Sequence, residues 1–113
     1  MLAPPAAVMS VTLCVLLWPH PGAREALAAY EDQVLDLLCG HGGRVLQRAR
    51  SSGAGGQPAE IQILEFPSAA ALDGYLNDSR RLSLAGERDT AIAATQVIDV
   101  ELIQPPERSS DGE

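Results

Sequence analysis

The apolar period of this 113-residue chain switches from two to about 3.6 and back, twice over, and that switching limits its folds more than any single motif does. Residues 10–18 alternate as a strand, with Val11, Leu13, Val15 and Leu17 on one face and Thr12, Cys14, Leu16 and Trp18 on the other. Pro21 offers a first helical position, and Ala26, Leu27, Tyr30, Val34, Leu37 and Leu38 then recur at helical spacing up to the Gly40, Gly42, Gly43 cluster. A helix is therefore expected over 22–39. Arg44 to Arg50 reads as a second strand, and Ala59 to Phe66 as a third, joined through the Gly- and Ser-rich stretch 51–58 as a hairpin with a long, mobile tip. Pro67 ends the third strand. Ser68 caps a short helix over 69–76, with Leu72 and Tyr75 or Leu76 turned inward. Asp78 or Ser79 caps a further helix from about Arg80 to Asp89, with Leu82 and Ala85 inward, and Thr95 to Ile103 closes the pattern as a fourth strand.

The order β-α-β-β-α-β predicts an α+β fold, a ferredoxin-like sandwich whose four-stranded antiparallel sheet runs 4-1-3-2. Ile61, Ile63, Ile98, Val100 and Leu102 are expected to join the aliphatic face of strand one beneath the helices. The opposite face would then mix Trp18, Leu64 and Phe66 with Glu60, Gln62, Asp99 and Glu101, and with Arg44, Leu46, Arg48 and Arg50 if strand two keeps register. Such a face is too apolar for plain solvent and too charged for an isolated core. A second subunit's sheet would cover it, giving a homodimer with a partly enclosed space at one end. Chain length points the same way, because a domain this small buries only about two thirds of its unfolded surface and aromatics make up only 4% of the residues.

The domain is expected to span 9–103. Residues 1–8 read as a disordered extension or as an over-called start ahead of Met9, and residues 104–113 as a disordered acidic tail. No Lys or Arg precedes the apolar run up to Trp18, no small-x-small cleavage site follows it, and Pro19 and Pro21 interrupt it too soon for a bilayer span. A cytoplasmic protein with no membrane partner is expected. The formal charge of −7 leaves no basic surface for nucleic acid. All eight basic residues are Arg, which removes lysine Schiff bases, lysine general bases and the P-loop lysine.

Gly42-Gly43-Arg44, then Glu65-Phe66-Pro67-Ser68 with Ala70 or Ala71 and Tyr75 following, then Arg88, occur together in order. In these residues the stretch 10–103 resembles a bacterial domain-of-unknown-function family of the dimeric α/β-barrel superfamily, alongside antibiotic-biosynthesis monooxygenase-like proteins. The resemblance implies a ferredoxin-like protomer, sheet-to-sheet pairing and a cavity between sheet and helices. One departure stands out: such proteins often carry a second Tyr seven residues before the Arg, and here that position is Arg81. The ligand is expected to differ accordingly.

Chemistry-bearing residues are sparse. Cys14 and Cys39 lack metal spacing and read as core thiols in a reducing compartment, without a disulfide. His20, beside Trp18 at the end of strand one, is placed to move a proton near neutral pH, while His41 belongs to the opposite rim. No His-x-His or His-x-x-x-His spacing supports a metal site, and no phosphate loop or nucleophile elbow supports a nucleotide cofactor or a serine nucleophile, so no cofactor is expected. Arg44, Arg48 and Arg50 pair with the neighbouring strand or with a second subunit, or else Arg48 faces the cavity and holds an oxyanion. Arg80, Arg81 and Arg88 divide between solvated or capping roles and anion capture. Tyr30 and Tyr75 stand on inner helix faces. Glu31 with Asp32, and Glu87 with Asp89, are expected on exposed faces, and Asp99 with Glu101 on one side of a strand.

Two functions follow. The first is a small dimeric module that binds a partly apolar metabolite between sheet and helices, with Trp18, Tyr30, Arg48, Tyr75 and Arg81 as contacts. The alternative is a cofactor-independent monooxygenase, cyclase or isomerase acting on an aromatic or polyketide-like substrate, with His20 and Asp99 as its catalytic residues.

Overall fold

A computed structural model describes residues 9–103, so the expectations for 1–8 and 104–113 lie outside the described residues. The elements are β1 (Val11–Pro19), α1 (Arg24–Leu35), a 3₁₀ turn (Leu38–His41), β2 (Arg44–Arg50), β3 (Glu60–Phe66), α2 (Ala69–Leu76), α3 (Ser79–Leu82), α4 (Ala85–Ala91) and β4 (Ile92–Asp99). A short 3₁₀ turn, Ala54–Gly56, shapes the hairpin tip. The sheet runs β2-β3-β1-β4 with every neighbouring pair antiparallel. This is the ferredoxin-like α+β arrangement that the periodicity predicts.

Boundaries differ where local hydrogen bonds compete. The first helix stops at Leu35 and tightens into the 3₁₀ turn, closed by Gly42 at φ +74°. The last helix is two helices. Asp78 caps α3, its Oδ1 accepting the Arg80 amide at 2.8 Å, and Ser83 turns its hydroxyl back onto the Arg80 carbonyl at 2.7 Å before α4 begins. Leu82 and Ala85 are therefore exposed, and Leu84 and Ala91 pack inward instead. β4 starts at Ile92, directly after α4, and regular pairing ends at Asp99.

The strand faces need a larger correction. β1 pairs Leu13 with Leu64, Val15 with Gln62 and Leu17 with Glu60, and it pairs Leu17 with Thr95, Val15 with Val97 and Leu13 with Asp99. Glu60, Gln62, Leu64 and Phe66 thus face the helices, as do Thr95, Val97 and Asp99. Ile61, Ile63 and Ile98 lie on the open face, and Val100 and Leu102 fall beyond the strand. β2 does not keep one face either: a bulge at Leu46 leaves Arg44 opposite Glu65 on the open side and puts Arg48 and Arg50 on the helix side.

The separated pieces of the sequence signature meet in space. A Cβ on Gly42 would sit 2.9 Å from Pro67 Cγ, and one on Gly43 would sit 3.0 Å from the Phe66 ring. The glycines are required because the turn into β2 lies directly on the end of β3. Phe66 is fully buried and packs with Leu38 and Tyr75. The hairpin tip, expected to be mobile, is tied down: Trp18 Nε1 donates to the Gly56 carbonyl, and Arg24 donates to the Ser51 and Ser52 carbonyls, all at 2.9 Å.

Candidate ligand cavity

The helices do not fill the space above the sheet. A cavity of about 390 Å³ remains between the helix-facing residues of the sheet and the inner sides of α1 to α4. That size suits a small organic ligand. Leu13, Val15, Leu64 and Phe66 give it an apolar floor, and Val34 and Leu72 an apolar roof. Its polar groups are Tyr30, Glu31, Gln62, Tyr75, Thr95 and Asp99, with the guanidinium groups of Arg81 and Arg88.

Glu31 is the residue that sequence reasoning misplaced. Expected on an exposed face, it is only 6% exposed. Its place was legible in the spacing, because 27, 31, 34 and 38 form one helical stripe with Leu27, Val34 and Leu38, all buried. Its Oε1 accepts from Gln62 Nε2 at 2.8 Å, and the same amide donates to Glu60 Oε2 at 2.9 Å. Glu60 is in turn held by Arg48 Nε, and Arg48 Nη1 donates to Asp32 Oδ1 at 2.7 Å. One guanidinium thus serves two carboxylates and leaves Glu31 an amide only. Burial pushes the Glu31 carboxyl above the ordinary range, and the neighbouring Glu60 adds to this against the opposing hydrogen bond from Gln62.

Tyr75 is 5% exposed and donates its hydroxyl to the Val34 carbonyl at 3.2 Å. Burial pushes its phenol up to about 12 and that of Tyr30 upward as well. The Arg81 guanidinium lies over the Tyr75 ring, 5.1 Å from its centroid. One of its nitrogens, Nη1, donates to the Leu76 carbonyl at 3.3 Å, while Nε is buried and has no hydrogen-bond partner.

The structure brings together Tyr30, Tyr75, Arg81 and Asp99 in one cavity and leaves three expected site residues elsewhere. Arg48 stands outside the cavity, occupied by Glu60 and Asp32. Trp18 and His20 line a separate shallow recess beside the hairpin tip, since Trp18 belongs to the open face of β1 and the strand carries His20 past the sheet. There His20 Nε2 lies 3.1 Å from the Asp89 carbonyl. Cys39 is exposed and Cys14 half-buried on the open face, so neither is a core thiol. His41 occupies the other rim, 2.8 Å from Asp78, with Arg80 on the same carboxylate; the hydrogen bonds from Arg80 and then His41 hold Asp78 well below the usual carboxylate range. Among the described residues no group of His, Cys, Asp or Glu side chains could hold a metal ion, and no helix is long and apolar enough to cross a membrane.

No family model and no curated protein matches the chain. Solved structures do. A Rhodopseudomonas palustris protein of unknown function superposes with a TM-score of 0.70 at 20% identity, covering 85% of this chain and 84% of that one. SnoaB, a cofactor-independent oxygenase from Streptomyces nogalater, gives 0.65 at 14% identity over 87% and 98%. A dabb family protein with a ferredoxin-like fold from Mesorhizobium loti gives 0.62 at 13% identity over 84% and 98%. At these identities the likeness establishes the fold, and the fold is the ferredoxin-like one that these bacterial proteins share.

Proposed function

We propose that the protein binds a small, partly apolar metabolite in the cavity between sheet and helices, in the cytoplasm, as one half of a homodimer. The cavity carries this reading: a mainly apolar chamber of about 390 Å³ with a handful of polar groups in its lining suits an organic ligand. Val97 lines it and is 56% exposed, so a larger ring there closes the cavity without straining the core. Naphthalene-sized aromatics such as 2-naphthol are expected to raise the melting temperature of the wild-type protein and to leave Val97→Trp unchanged. Saturation to a hundredfold over Kd corresponds to about 2.7 kcal/mol. A wild-type protein that no such aromatic stabilises overturns the reading.

The likeness to a cofactor-independent oxygenase supports a second reading, in which the same cavity hosts a monooxygenase, cyclase or isomerase reaction on an aromatic or polyketide-like substrate. Asp99 and Glu31 then carry the proton and Tyr75 and Arg81 hold the substrate oxygen. His20 acts in that reading only from its recess outside the cavity.

A further inference from the structure

We infer that the cavity takes an organic anion, an apolar skeleton with a single oxyanion seated on Arg81, and that its entry drives a proton onto Glu31. The inference deepens the binding reading above and rests on it. Arg81 is the key group. Its Nε–H is buried without an acceptor, and among the described residues no carboxylate pairs with its guanidinium, whereas Arg44, Arg48, Arg80 and Arg88 each have one within 4.0 Å. A buried, unmatched donor on a positive group is costly unless something accepts from it. The Tyr75 ring, its centroid 5.1 Å from the guanidinium carbon, and the Leu76 carbonyl that accepts from Nη1 hold the group at the cavity wall. The rest of the lining is mainly apolar, and the carboxylates of Glu31 and Asp99 that share the cavity disfavour a second negative charge, which limits the ligand to one charged end.

Glu31 supplies the second half. The groups facing it are Glu60 and Gln62 from β3, Arg48 from β2, Tyr75 from α2, Arg81 from α3, Arg88 from α4 and Asp99 from β4. Among the described residues its one carboxylate-binding hydrogen bond comes from the Gln62 amide, and Arg48 is committed to Glu60 and Asp32. Without a ligand anion the Arg81 charge favours an ionised Glu31. A ligand oxyanion on Arg81 cancels that charge and adds a like one, which favours the protonated carboxyl. Binding therefore takes up a proton, and affinity falls as pH rises through the Glu31 titration, where the unliganded protein must first be reprotonated.

The test compares 2-naphthoate with its neutral counterpart 2-naphthamide by calorimetry between about pH 5 and pH 8, in buffers of different ionisation enthalpy. Naphthoate is expected to bind about tenfold tighter or more, with net proton uptake inside that range. Arg81→Gln should erase the preference, Glu31→Gln should keep it and abolish the uptake, and Arg44→Gln should change neither. Equal or tighter binding of naphthamide overturns the anion inference and leaves the cavity reading standing, whereas failure of both probes overturns both. A naphthoate preference with no proton uptake at any pH overturns the role of Glu31. The two probes decide on the wild-type protein alone, whatever the variants' folding.

Discussion

Glu31 breaks the hydrophobic pattern of its helix, and its surroundings determine what that costs. A carboxyl 6% exposed with an amide as its donor is most stable protonated. Its pKa is raised on folding, so its contribution to stability is complete below the unfolded-state pKa and is lost as pH rises through the folded-state value. Glu31→Gln keeps the shape and removes the ionisation. The variant should match the wild type at acid pH and become relatively more stable as pH rises from about 4 toward 8, gaining about 1.4 kcal/mol for each pH unit between the unfolded-state and folded-state pKa values and levelling off above the latter. Urea unfolding midpoints across that range measure it. Parallel curves for the two proteins would mean that Glu31 is ionised throughout.

At the scale of elements, the turn between the 3₁₀ segment and β2 shows how a short sequence signature encodes a contact. Gly42 and Gly55 both have positive φ, at +74° and +67°, but a Cβ would strike Pro67 at the first and meet open space at the second. Alanine at either position should cost about 1 to 2 kcal/mol for the left-handed backbone. Gly42→Ala should cost measurably more, read as a lower urea midpoint than that of Gly55→Ala. Equal losses would show that the Pro67 contact yields freely. The order of elements was legible because each switch of apolar period was punctuated by Pro, Gly or a capping residue, as at Pro21, Gly42 and Ser68. Register was not. In β3 the alternation of Ile61 and Ile63 with Glu60 and Gln62 points the isoleucines at the helices, and the structure turns them away. The pattern misleads because Glu60 and Gln62 are satisfied inside, by Arg48 and by each other, and no single strand discloses partners that sit on β2 and α1. The candidate site was legible to the same degree. Tyr30 and Tyr75 could be placed on inner faces from spacing, whereas Asp99 was read on the open face and lies in the cavity because β4 pairs it with Leu13, Arg81 was left between solvent and anion capture, and Trp18, His20 and Arg48 were assigned to the cavity and lie outside it because strand exit and bulge set their direction.

For the whole molecule, the corrected register strengthens the argument for a second copy. Gln47, Ile63, Cys14 and Ile98 form one row across all four strands of the open face, and Ala49, Ile61, Leu16 and Gln96 form the next. The middle of that face is more apolar than the sequence reading placed there. Its charges are displaced to one corner, where Arg44 and Glu65 pair at 2.8 Å. A two-fold axis through such a face brings like against like, and apolar rows accept that where charged ones would not. The surface is a four-stranded sheet, and a stable dimer needs about 800 Å² from each partner. Ile63 is near the middle and half-buried, flanked across the strands by the uncharged Gln47 and Cys14 and along β3 by Ile61, so Ile63→Glu adds a charge that a sheet-on-sheet interface cannot solvate. Sedimentation at micromolar concentration should give twice the chain mass for the wild type and the single-chain mass for Ile63→Glu. Circular dichroism of the variant should remain that of a folded α+β protein, because the helix face and its cavity are untouched. A wild-type protein that sediments as a single chain would leave this apolar face without a partner copy and would end the case for the dimer.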